Sequence, residues 1–142
     1  WARGQIVLGV IISLMVYITL SVIGIEYAGF LALLAFVGEL IPVVGLTLAM
    51  IPAALVALSE GGVTLAGIVF LVYFVIGQIE NHILYPNVMN KMVGVPSVVV
   101  IISLIVGAKL AGFWGILIAV PLAAIMIGFL DDLDNHKIPE VN

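Results

Sequence analysis

The chain has 142 residues, 65% of them apolar and only 8% charged, with a mean hydropathy of +1.42. That leaves too little polar surface for a water-soluble globule of this size, and predicts an all-α integral membrane protein forming a single transmembrane domain over 1–142. The absence of cysteine excludes disulfides and thiolate metal sites, two histidines without a His-Glu-x-x-His pattern imply neither metal nor cofactor, and a net charge of −4 is no nucleic-acid footprint.

The opening Trp1-Ala2-Arg3-Gly4-Gln5 has neither an initiator Met nor the tripartite order of a signal peptide, so the chain reads as one piece of a longer membrane protein. Residues 5–24 then supply about 20 helical residues, roughly 30 Å, enough to span once. Arg3 before the span and Glu26 after it place the chain start in the cytoplasm.

The run 28–38 is only 11 residues, roughly 16 Å of helix, and reaches about the bilayer midplane before Gly38-Glu39-Leu40-Ile41-Pro42-Val43-Val44-Gly45. Gly38, Pro42 and Gly45 break the helix there, and Pro52 is expected to kink the apolar run that resumes over 43–58. Either a re-entrant hairpin returns outside at Ser59-Glu60-Gly61-Gly62, or one broken helix crosses.

Residues 63–82 form a second span ending in Gln78-Ile79-Glu80-Asn81-His82, with a loop over 85–96. Lys91 in that loop argues for the cytoplasmic side and so for the hairpin. A short helix over 97–109 breaks at Gly107-Ala108-Lys109-Leu110-Ala111-Gly112, and a longer run with Pro121 follows to 130. Gly38 and Pro52 lie 14 residues apart, as do Gly107 and Pro121. The predicted architecture is therefore two spanning helices, each followed by a broken or re-entrant helical pair, in an inverted repeat with units 1–62 and 63–130 and an acidic cytoplasmic tail over 131–142. A plain bundle of five or six crossings, with Gly and Pro serving helix packing, is the alternative.

The ordered series Arg3-Gly4-Gln5, Ile41-Pro42-Val43-Val44-Gly45, Ile51-Pro52-Ala53, Gln78-Ile79-Glu80-Asn81 with Leu84-Tyr85-Pro86, Val93-Gly94-Val95-Pro96, and Gly112-Phe113-Trp114-Gly115 with Val120-Pro121 resembles the autoinducer-2 exporter (AI-2E) family of bacterial transporters, from Arg3 to about Leu130. The resemblance implies the C-terminal part of a homo-oligomeric secondary transporter of the bacterial inner membrane. The inverted repeat implies alternating access, and the resemblance implies either a small polar solute such as autoinducer-2 exported or Na+ or Li+ exchanged for H+. Leu46, where the family often has proline, Val95, where it often has histidine, and the charge of Lys109 depart from the family pattern.

Glu39 is the first candidate for solute or ion binding. Twelve uncharged residues separate it from Glu26, about 18 Å of helix, and a carboxylate at that depth must be paired, hydrated or protonated. That makes it a candidate for coupling to H+ or Na+. Lys109 occupies nearly the equivalent place in the second pair, and the two tips are expected to approach in one conformational state. Lys109→Ala should then impair transport or folding, and adding Glu39→Gln should recover part of the loss; additive defects would argue for a lysine that merely snorkels to a headgroup.

At 100° per residue Gln78, Asn81, His82 and Tyr85 share one helix face, whereas Glu80 points about 160° away with Tyr73 and Gly77. Either the helix unwinds after Gln78 or the roles divide, and division is the expectation. Gln78 and Asn81 then offer amides to a polar substrate or ion, Glu80 makes an interhelical or interface contact, and His82 is interfacial. Gly107, Gly112, Gly115 and Pro121 shape the second break. A membrane scaffold without transport of its own, its polar breaks serving subunit contacts, is the competing function; loss of flux with intact assembly in Glu39→Gln or Gln78→Ala would exclude it.

Overall fold

The computed structural model describes residues 2–89 and 96–135, and all regular structure among them is helical. The helices are α1 (Ala2–Ile23), α2 (Ala28–Gly38), α3 (Gly45–Ile79), a π-helical turn (Glu80–Leu84), α4 (Tyr85–Met89) and α5 (Ser97–Asn135). They form two compact bodies, one over 2–89 and one over 96–135. The stretches Ala2–Ile23, Gly45–Met89 and Val98–Asp134 are each long and apolar enough to cross a membrane.

In the first body α1 runs its 22 residues, about 33 Å, without interruption. Its buried face is Leu8, Ile12, Val16 and Leu20, one residue every four, while Ile6, Val10, Leu14 and Ile18 on other faces stay exposed. Apolar side chains all round a helix suit lipid on one side and protein on the other. The helix stops at Gly24, whose N–H returns to the Leu20 carbonyl at 3.0 Å.

α2 runs back along α1. A Cβ on Gly29 would lie 3.8 Å from Tyr17, and one on Gly9 would lie 3.1 Å from Phe36 and 3.4 Å from Glu39. Small residues line the next contact too, with Ala28, Ala32 and Ala35 on α2 and Ala49, Ala53 and Ala57 on α3 all buried. Without water to drive apolar helices together, such residues hold them by letting backbones approach closely.

The chain turns between Gly38 and Gly45 so tightly that a Cβ on Gly45 would overlap the Gly38 carbonyl, and one on Gly38 would lie 2.6 Å from the Gly45 carbonyl oxygen. The following helix returns to the level at which α2 began, since Glu60 there accepts from the Glu26 backbone N–H at 3.3 Å. Residues 28–60 are thus a helical hairpin rather than one broken helix running through.

α3 is itself folded. Gly61 (φ −140°, ψ 16°) and Gly62 (φ 69°, ψ −161°) leave the helical region. The arm 63–79 turns back along 45–60, so that Leu46 lies 3.6 Å from where a Gly77 Cβ would sit. Nothing crowds Gly62; its backbone conformation alone calls for glycine. Neither Pro52 nor Pro121 breaks its helix, as the non-helical residues fall elsewhere. The loop expected over 85–96 begins later than predicted, because α4 continues to Met89 and packs on α1. Lys91 lies outside the described residues, as does the part of the expected acidic tail from 136, whereas its first residues, 131–135, continue α5.

The second body is one hairpin. α5 folds back at Ala111 (φ −143°, ψ 20°) and Gly112 (φ 57°, ψ −132°), close to the backbone geometry of Gly61 and Gly62. Gly107 and Gly115 face each other across the bend; a Cβ on either would overlap the other's carbonyl, and one on Gly107 would also lie 2.7 Å from Ala119 Cβ. Phe113 and Trp114 pack edge to face, 5.8 Å apart, on the exposed tip.

Candidate solute and ion site

The turn from α2 into α3 fixes Glu39. Its N–H continues the helix to the Ala35 carbonyl at 3.0 Å, and Ile41 N–H bonds the Gly38 carbonyl at 2.8 Å. Val43, at φ 71°, then turns the chain through a region that a β-branched residue rarely adopts. A helix ending this way leaves carbonyls without intrahelical partners. The Glu39 carbonyl is met from α1, where the buried Gln5 side chain donates Nε2–H to it. Gln5 and Gly9 therefore set the level of the tip along α1: it lies beside the helix's first turns, not its middle.

Opposite Glu39, the arm 63–79 ends in the π-helical turn at Glu80. Glu80 lines the cavity with Tyr73 and Gly77, the residues of its expected face, and meets Glu39 across it, but Gln78 and Asn81 line the same cavity, which corrects the separation expected between them and Glu80. Glu80 is buried, and its carboxyl group comes within hydrogen-bonding reach of that of Glu39. His82 points away from the cavity and is exposed; its ring Nδ1–H donates to the Gln78 carbonyl at 3.0 Å, bracing the turn.

The cavity measures about 340 Å³ and is bounded by Thr47 and Met50 on one arm of α3 and Phe70, Tyr73 and Phe74 on the other. Tyr73 is 2% exposed, and its hydroxyl has no hydrogen-bond partner among the described residues; nor has Gln5 Oε1. Two carboxyl residues, two amide residues and Thr47 thus line an otherwise apolar recess, as in binding pockets for small molecules. Among the described residues no group of three or more His, Asp and Glu side chains is placed to hold a metal ion.

Of the residues singled out from sequence, Glu39, Gln78, Asn81, Glu80 and Gly45 meet at this cavity, whereas Lys109 belongs to the second body, exposed just before its bend. Sequence reasoning passed over Gln5, Thr47 and the aromatic wall as site residues. Gln5 carried one signal, an amide entering an apolar span.

The sequence matches the AI-2E family transporter profile over residues 1–135. The chain belongs to the AI-2E transporter family. It is 30% identical over 140 residues to YrrI of Bacillus subtilis, covering 96% of this chain and 39% of that protein. It is 37% identical over 105 residues to MT0215 of Mycobacterium tuberculosis, covering 74% and 29%. With the AI-2 transport protein TqsA of Escherichia coli it shares 33% identity over 119 residues, covering 84% and 35%. The chain thus spans well under half the length of each of these AI-2E relatives. Family membership and three long apolar stretches together make it a multi-pass protein of the bacterial plasma membrane.

Proposed function

We propose that the chain forms the coupling part of a secondary transporter, in which the Glu39–Glu80 cavity takes a small polar solute or a monovalent cation on one side of the membrane and exchanges it for a proton. The observation that carries this reading is the facing of the two buried carboxyl groups. A hydrogen bond between two carboxyls needs a proton on one of them, and a cation that enters between them displaces that proton. Proton and cargo then exclude one another at a single site, which is the requirement for exchange.

Alternating access is proposed through the hairpins. Both are built alike, with a glycine pair in backbone contact across the bend, Gly38 with Gly45 and Gly107 with Gly115, and a proline 14 residues after the first glycine. Two such units entering from opposite sides would form an inverted repeat of re-entrant pairs. The relative TqsA bears the name of an AI-2 transporter, so autoinducer-2 joins Na+ and Li+ among the solutes to be tried.

The test is flux through the full chain reconstituted in liposomes loaded with a pH-sensitive dye and challenged in turn with Na+, Li+ and autoinducer-2. The proposal expects proton movement driven by at least one of them and its loss in Glu39→Gln. Solute movement that leaves internal pH unchanged, and that Glu39→Gln does not slow, would overturn it.

A further inference from the structure

The cavity carries more chemical information than a proton site requires. Resting on the reading above, we propose that its cargo is a small organic ammonium ion, held with its N–H groups between Glu39 and Glu80 and its carbon skeleton against Phe70 and Phe74.

Charge is the first argument. Glu39 and Glu80 are the charged residues of the lining, which among the described residues includes no lysine, arginine or histidine. A recess with two carboxyl groups and no base selects cations and rejects anions. Size is the second. At about 340 Å³ the space exceeds many times the roughly 30 Å³ share of one water molecule, so a bare alkali ion would leave it mostly filled with solvent, whereas a compact organic molecule fits.

The aromatic wall is the third argument. Phe70, Tyr73 and Phe74 stand at i, i+3 and i+4 on one arm and so on one helix face, the surface against which an alkyl ammonium gains both apolar contact and cation–π attraction.

The experiment measures binding to the full chain in detergent by titration calorimetry, with n-butylammonium and its neutral near-isostere n-butanol as probes. Butylammonium should bind saturably and about tenfold or more tighter than butanol, the discrimination expected of charge-assisted hydrogen bonds. Glu80→Gln should weaken it about tenfold. Phe74→Leu, which leaves the carboxyls in place and guards against a misfolded Glu80 variant, should weaken it about two- to five-fold. Equal affinity for the two probes, or an unaltered affinity in Phe74→Leu, would overturn the inference. If butylammonium fails to bind while Na+, Li+ or autoinducer-2 still drives Glu39-dependent proton movement, the ammonium cargo is wrong and the exchange site stands. If butylammonium binds as described but no solute moves protons, the exchange reading is the one that fails.

Discussion

The carboxyl group of Glu39, at the tip of the first hairpin, faces that of Glu80, at the start of the π-helical turn, and Tyr73 lines the same cavity with its hydroxyl buried and without a partner among the described residues. A group kept buried without a hydrogen bond is a stability cost, about 1–3 kcal/mol, that a structural role would not justify. Tyr73→Phe should therefore leave thermal stability unchanged or higher while slowing proton-coupled flux. Melting curves and flux on the same preparation check this, and a less stable variant with full flux would argue for a purely structural tyrosine.

Gln5 holds the tip through the Glu39 carbonyl. Gln5→Leu keeps the apolar bulk but leaves that carbonyl unsatisfied, at an expected loss of about 1–3 kcal/mol. Unfolding in detergent should show the loss, and hydrogen exchange should place it at residues 39–44.

The backbone contact of Gly38 and Gly45 leaves no room for a methyl group. Gly45→Ala should cost at least the ~1–3 kcal/mol typical of overpacking, since the obstructing atom is backbone and cannot rotate away. Gly67→Ala, with nothing within 4 Å of the added carbon, should be neutral or stabilising by about 0.5–1 kcal/mol. Comparing their melting temperatures separates loss of space from any general effect of replacing glycine in a helix.

The contact between the Glu26 backbone and Glu60 brings the two ends of the first hairpin together. Because the chain has no native cysteine, Tyr27→Cys and Ser59→Cys can each be labelled alone. A re-entrant hairpin predicts that a membrane-impermeant thiol reagent reaches both from the same side. Labelling from opposite sides would mean that residues 28–58 cross.

Much of this design could be read from the residues alone. The glycines at 38, 45, 107 and 115 announced close backbone approaches, and an acid so far from any other charge announced Glu39, because both rules are local. The Glu39–Glu80 meeting was hidden because helical spacing tells which residues share a face with Glu80, here Tyr73 and Gly77, but not which element that face packs against. Gln5 was equally obscure, since its partner is a backbone carbonyl 34 residues away and any residue type could have supplied that carbonyl. The fold-back at Gly61 and Gly62 was visible as a loop, but its direction depends on the dihedral angles of Gly62 and not on its identity.

The central claim is that Glu39 and Glu80 act as one unit, and the most direct test is a double-mutant cycle on proton-coupled flux in liposomes. Glu39→Gln and Glu80→Gln should each remove the pH dependence of flux, and the double variant should be no slower than either single one, because the first substitution already dissolves the pair. Defects that multiply in the double variant, or a single variant that keeps its pH dependence, would contradict the account.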